Sequence, residues 1–424
     1  MNKSSMLFFL LVFVFRVLLE ISYINVINPV FSYAGFHVNF SYINYLISWI
    51  IFLSGFLFLA NRILRVSDYF FVIMFLVIIT PMCILFGYDT ERSLVPLGVS
   101  IGSVWIIYFV VNKKTISFRT LPIFKGGLTL VVLVASLFVV FLILWYALSG
   151  VSFNFNLMEV YDFRIKNRDL AGGGILNYTN GWTYNVFNMT LFSIALLARR
   201  YVIAVFIFAI QAYFFAASAH KSVLFIPFII LSLFFYFRKT NSAVFIPALL
   251  SSIVALTLST YYFLGDTLAS SVLSRRIFFI PSSLTFTYFE FFNDNPKVIW
   301  SNSVLSSFLE YPYDQGQSMS KVIGNFLGSP DMAANNGFIS SGYGHAGLFG
   351  VFFYSLVVGF ILRFLDHITD NLVPLWFALS LCVVPLASLI MSSDLFVVLL
   401  THGFIVAILI ILLVRSKIYA PDSL

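Results

Sequence analysis

Charge is what this sequence has least of: only 10% of its 424 residues are Asp, Glu, Lys or Arg, against 61% hydrophobic residues and a mean hydropathy of +0.99. A soluble globular chain carries about 25% charged residues, so that class is excluded. Cysteine is almost missing as well. Cys83 and Cys382 lie alone in separate apolar runs with no CxxC or zinc spacing, which removes a disulfide framework and a thiolate metal centre and reads as helix packing. Also absent are a GxxxxGK[ST] phosphate loop, an HExxH helix, a GxSxG elbow and a DxD carboxylate pair. Nucleotide hydrolysis, zinc proteolysis, α/β-hydrolase chemistry and the metal-dependent glycosyl transfer of soluble enzymes lose their usual marks, and no cofactor is expected.

What is there is a series of long apolar runs. Backbone amides cannot stay unpaired in hydrocarbon, and runs of about 20 residues are helix length, so an all-α polytopic membrane bundle is expected rather than a barrel. The first run, Met6 to Ile27, carries Arg16 and Glu20 one turn apart and lacks a small-residue cleavage site; it reads as a retained span whose two charges neutralise each other. Further runs cover 43–60, 69–86, 95–112, 126–148, 181–198, a span ending at Ala217, then 222–237, 243–263, 338–362, 372–391 and 395–414. The formal charge of +7 is concentrated between them. Arg62 and Arg65, then Lys113, Lys114, Arg119 and Lys125, then Arg199 and Arg200, Arg238 and Lys239, Arg363, and Arg415 and Lys417 fall at alternate ends. By the positive-inside rule this gives about twelve spans, one transmembrane domain and both termini cytoplasmic. Two long connections, 150–180 and 264–337, then fall on the outer side.

Those connections hold most of the polar residues, whereas a transporter concentrates them within its spans. No inverted repeat relates the halves. In 150–180, Arg164, Lys166 and Arg168 precede the triple glycine 172–174, a pattern able to grip phosphate, although Glu159, Asp162 and Asp169 offer ordinary ion pairs. His220 and Lys221 sit at a tight junction between two spans, where Lys221 either snorkels to headgroups or presents a fixed positive charge. The longer connection opens with Arg275 and Arg276 before an aromatic run through Phe286, Tyr288, Phe289, Phe291 and Phe292, suited to stacking on sugar or to anchoring at the interface. Its six carboxylates exceed its four cations, so it is not a general anion sink. His345 follows Tyr343 and Gly344 at the start of a span. A histidine in this place could act as general base for a sugar hydroxyl, or else it is satisfied by a neighbouring span. For His37, His367 and His402 the sequence alone identifies no partner.

Taken together, Arg164 and Arg168 in an outer connection, the His220-Lys221-Ser222 rim, Arg275-Arg276, and the run from Asn336-Gly337 through Gly342-Tyr343-Gly344-His345-Ala346-Gly347 into a span resemble the Wzy-type O-antigen polymerases. The stretch Tyr42 to Ser48 is in keeping with that family. The resemblance covers most of the chain and implies a GT-C-like bundle in the bacterial inner membrane with its site in the periplasm. It implies a metal-independent polysaccharide polymerase that transfers a growing glycan from undecaprenyl diphosphate to the non-reducing end of a single lipid-linked repeat unit. The implied partners are these donor and acceptor lipids, and a chain-length regulator. It further implies that His345, Arg164 and Arg276 are catalytic and that Lys166, Arg168, His220, Lys221, Arg275, Asn336 and Tyr343 contact substrate. O-antigen ligases share this layout, and a lipid-linked oligosaccharide flippase is the non-enzyme alternative.

Overall fold

The computed structural model describes residues 3–114, 118, 121–155, 174–303, 305–314 and 316–415. It is 75% helical, with no strand among the described residues. Among the described residues, seven helices are long and apolar enough to cross a bilayer: Lys3–Ala34, Val66–Tyr88, Leu94–Asn112, Gly127–Leu148, Tyr201–Ser218, Phe245–Leu264 and Phe338–Thr369. Tyr42–Leu57, Lys221–Phe237, Leu375–Met391 and Phe404–Val414 are shorter apolar helices. Leu130, Leu133, Leu137, Leu144 and Leu148 lie exposed along Gly127–Leu148. In water such a stripe would drive aggregation; against acyl chains it is a matched surface. Seven helices of this length and composition suit a polytopic helical bundle in a membrane.

The chain divides into two compact units. The first comprises Met1–Ser117, Asn241–Arg363 and Leu389–Leu395; the second comprises Phe118–Thr240, Phe364–Ser388 and Phe396–Leu424. In the first, Val66–Tyr88 is enclosed almost entirely by its neighbours, as expected of a helix apolar on every side. Pro81 has no N–H to give to the turn before it, and the helix widens into a π-helical stretch at Phe75–Ile79. The Thr80 hydroxyl donates to the Phe75 carbonyl, 2.9 Å, which keeps that oxygen paired away from water. Arg16 donates to Glu20 at 3.0 Å and to the carbonyl and hydroxyl oxygens of Ser48, and its guanidinium lies 3.8 Å from the Trp49 ring. The two charges do neutralise each other, since an unpaired one in a span would cost about 2.5–3.5 kcal/mol.

In the second unit, Asn188 donates to Gln211 at 2.7 Å, and Gln211 donates to the carbonyls of Tyr184 and Val223, tying three helices through polar groups that hydrocarbon makes costly to leave open. The apolar run 395–414 is not one helix. It breaks at Thr401 to Gly403, with Gly403 in the left-handed region at φ 80° and the Trp182 indole N–H donating to the Leu400 carbonyl freed by the break.

The largest difference from the sequence reading concerns 264–337, which is not an open connection. A π-helical segment Ser270–Phe279 continues into the α-helix Ile280–Asp294, and Met319–Phe326 adds a further helix. Pro281, Ser282, Thr285, Tyr288, Phe289 and Phe292 are buried. The aromatic run is packing inside the first unit, with Phe278 against Phe15 at 5.3 Å and Phe279 against Tyr23 at 5.2 Å. Its hydroxyls are absorbed locally: Ser282 donates to the Ile78 carbonyl, Thr285 to that of Pro281 and Thr287 to that of Ser283.

Candidate functional site

Helix Ile280–Asp294 acts as the spine of a polar region in the first unit. At its start, Asn336 donates through Nδ2 to the Pro281 carbonyl at 2.9 Å, to Thr285 Oγ1 at 3.1 Å and to Ser340 Oγ at 2.8 Å. Further along, the Phe289 and Tyr343 rings stack at 3.8 Å with an interplanar angle of 12°, and the Lys297 ammonium lies 5.2 Å over Tyr343. Burial pulls the Lys297 ammonium below its ordinary value, opposed by the nearby Asp294 carboxylate. Next to Tyr343 a Cβ on Gly344 would press on Met319 Sδ and Phe292, so any larger residue would have to displace those side chains.

Beyond Gly344 the helix Phe338–Thr369 is broken. Ala346 (φ −146°, ψ 30°) and Gly347 (φ 59°, ψ −141°) leave helical geometry, and Gly342 and Gly350 close across the break, where a Cβ on Gly350 would strike the Gly342 carbonyl. The break strips helix partners from the carbonyls of Gly344 and His345. Val298 N–H donates to Gly344 at 3.0 Å and Ile299 N–H donates to His345 at 2.9 Å. To reach them, Ile299 and Trp300 both adopt left-handed backbone, φ 49° and 53°, which costs roughly 1–2 kcal/mol per residue. Such strain persists only where surrounding contacts hold it, and it clusters at functional sites.

These contacts fix His345. Trp300 N–H donates to Nδ1 at 3.2 Å, and the indole stacks on the imidazole at 5.2 Å and 15°. With Nδ1 accepting, the network assigns the ring proton to Nε2, which faces Asp394 Oδ2 at 3.3 Å. Tyr354 O–H donates to the same Oδ2 at 2.7 Å, and the Trp300 indole N–H donates to the Tyr354 oxygen at 2.7 Å, closing a ring of four side chains. His345 is 3% exposed through its side chain and Asp394 18%. The carboxylate is therefore the more accessible member of the pair.

The cations gather elsewhere on the same unit. Arg275 packs its guanidinium 4.4 Å from the Phe31 ring and donates to Ser271 Oγ at 3.1 Å, while its Nε is buried with no hydrogen-bond partner. Arg276, beside it, is exposed. Arg92 donates to the Gly35 carbonyl at 2.8 Å, pairs with Asp89 at 3.3 Å and lies 5.1 Å from the Phe286 ring. Burial lowers its guanidinium from the ordinary arginine value, opposed by Tyr23 and Asp89. Tyr311 is also held in this unit. Burial pushes its phenol up to about 12, so it stays a donor at neutral pH, and its hydroxyl is buried with no hydrogen-bond partner.

Of the residues singled out by sequence, Arg275, Arg276, Asn336, Tyr343 and His345 fall in the first unit, and the last three belong to one connected region. Asn336 departs from its expected role, because its amide fastens the segment before the broken helix to helix Ile280–Asp294. Tyr343 is likewise sandwiched between Phe289 and Lys297, with its face already covered. His220 and Lys221 belong to the second unit, where His220 precedes helix Lys221–Phe237, Ala219 is left-handed at φ 55°, and Lys221 is exposed. Arg164, Lys166 and Arg168 lie outside the described residues. The sequence reading missed Arg92, Trp300, Tyr354 and Asp394. A lone carboxylate in the apolar hairpin 392–394 was the one available signal for the last of them. Among the described residues no group of three or more His, Cys, Asp or Glu is placed to hold a metal ion.

No protein-family model, no curated protein and no solved structure matches the chain. Fold and site define an all-helical chain with seven candidate membrane-spanning helices, in which a buried histidine on a broken helix faces the partly exposed Asp394.

Proposed function

We propose that the protein is an O-antigen-type polysaccharide polymerase, joining repeat units carried on undecaprenyl diphosphate. In this reading the chain spans the bacterial inner membrane about twelve times with both termini in the cytoplasm, and the broken helix and the arginines face the periplasm. The growing glycan moves from its lipid diphosphate to the non-reducing sugar of a single lipid-linked unit. A chain-length regulator is a further partner.

The observation that supports this most is the shared scaffold of two chemistries. Helix Ile280–Asp294 follows directly on Arg275 and Arg276, touches Arg92 through Phe286, and reaches the Tyr343–Gly344 approach to the His345–Asp394 couple. Attack at an anomeric carbon that expels a lipid diphosphate calls for preorganised cations at the leaving group and a proton acceptor at the attacking hydroxyl. Guanidinium groups suit diphosphate because each offers paired donors in a fixed plane. Arg275 and Arg276 are assigned to the leaving diphosphate, with Arg164, Lys166, Arg168, His220 and Lys221 as further contacts to the two lipid carriers.

Deletion of the gene in its host, followed by gel analysis of lipopolysaccharide, tests this. Core carrying a single repeat unit, restored to a ladder by the wild-type gene, is the expected result. Bare core with lipid-linked polymer accumulating would make the protein a ligase. Bare core with single units trapped on the cytoplasmic face would make it a flippase.

A further inference from the structure

We infer that Asp394, and not His345, takes the proton from the acceptor hydroxyl, and that His345 is the residue that positions Asp394. This rests on the polymerase reading above. A general base needs a lone pair that the substrate can reach. Both ring nitrogens of His345 are engaged, Nδ1 by the Trp300 N–H at 3.2 Å and Nε2 facing Asp394 at 3.3 Å, and the ring is covered by the Trp300 indole. To accept a proton at Nδ1 the imidazole would have to release an amide held in strained left-handed backbone, which nothing else shown in this network would satisfy. Asp394 is the more exposed of the two, 18% against 3% for the side chain, so its carboxylate is the group that a substrate can reach.

The step balances without a further reactant. The acceptor oxygen forms its bond to the anomeric carbon as the bond from that carbon to the diphosphate oxygen breaks. The electron pair leaves with the lipid diphosphate, and the hydroxyl proton passes to the Asp394 carboxylate. His345, with its proton on Nε2, and the Tyr354 hydroxyl hold that carboxylate in one orientation throughout.

Glutamine separates the two roles at position 345. Its amide can accept from the Trp300 N–H and donate to Asp394, yet it cannot act as a base near neutral pH. Protein reconstituted in liposomes is given lipid-diphosphate-linked repeat units extracted from the deletion strain, and the initial rate of polymer formation is read. His345→Gln is expected to stay within about tenfold of wild type, whereas Asp394→Asn falls by about a hundredfold or more. Asp394→Glu, which keeps a carboxylate, is expected to recover measurable rate, and this comparison covers the case in which Asp394→Asn folds poorly. His345→Gln as inactive as Asp394→Asn, or Asp394→Asn retaining wild-type rate, would overturn the assignment while leaving the polymerase reading intact. Wild-type protein that forms no polymer and frees no lipid diphosphate would overturn both.

Discussion

The first unit holds two acid–base couples, and they are built in opposite ways. Arg16 and Glu20 sit one turn apart on an unbroken helix, 3.0 Å from each other, with the arginine wholly buried between Trp49 and Phe52 and two further donors taken by Ser48. His345 and Asp394 come from distant parts of the chain, 3.3 Å apart, on a helix that breaks beside the histidine and against a loop with two left-handed residues. One couple is closed on every side. The other leaves its carboxylate partly open and is held by strained backbone. A buried pair by itself says little about function; a buried pair that strain holds and that keeps one face accessible is the arrangement expected of a site.

That contrast breaks in definite ways. Arg16→Ala leaves Glu20 buried and unpaired, and it should destabilise the protein by about 3–5 kcal/mol, seen as a lowered melting temperature in detergent, with no specific effect on polymer length. Replacing both partners, Arg16→Met with Glu20→Leu, should recover most of that stability. Asp394→Asn should do the reverse, leaving the melt near wild type while activity collapses. Gly350→Ala drives a methyl group into the Gly342 carbonyl across the break, so it should cost about 1–3 kcal/mol and reduce activity together with stability, measured by melt and polymer ladder on the same preparation. Ile299→Gly relieves a β-branched residue at φ 49° and should raise the melting temperature, by roughly 1 kcal/mol of added stability. Tyr311→Phe removes a buried hydroxyl that has no partner and should leave the melt unchanged or slightly higher.

The parts legible in the sequence were those that local pattern controls. Run length and the scarcity of charge fixed an all-helical membrane class, and spacing of four residues paired Arg16 with Glu20. His345 stood out through the glycines around it, and the structure shows what they do: Gly344 admits Met319 and Phe292, Gly347 turns the chain, and Gly342 and Gly350 close the break. The partners of His345 were not legible. Trp300 lies 45 positions before it, and the Tyr354–Asp394 bond spans 40 residues, distances over which no periodicity speaks. Ile280–Asp294 was misread because Ser and Thr lower its hydropathy, although their hydroxyls are absorbed by carbonyls one turn back or on the neighbouring Val66–Tyr88 helix. The aromatic residues that suggested a sugar platform are the side chains that bury it.

One measurement meets the central claim most directly: purified protein in liposomes, supplied with lipid-diphosphate-linked repeat units and no other protein. The account predicts a ladder of longer glycans on lipid diphosphate, with one lipid diphosphate freed for each unit joined. Units recovered unchanged, from protein that is folded and correctly inserted, would contradict it.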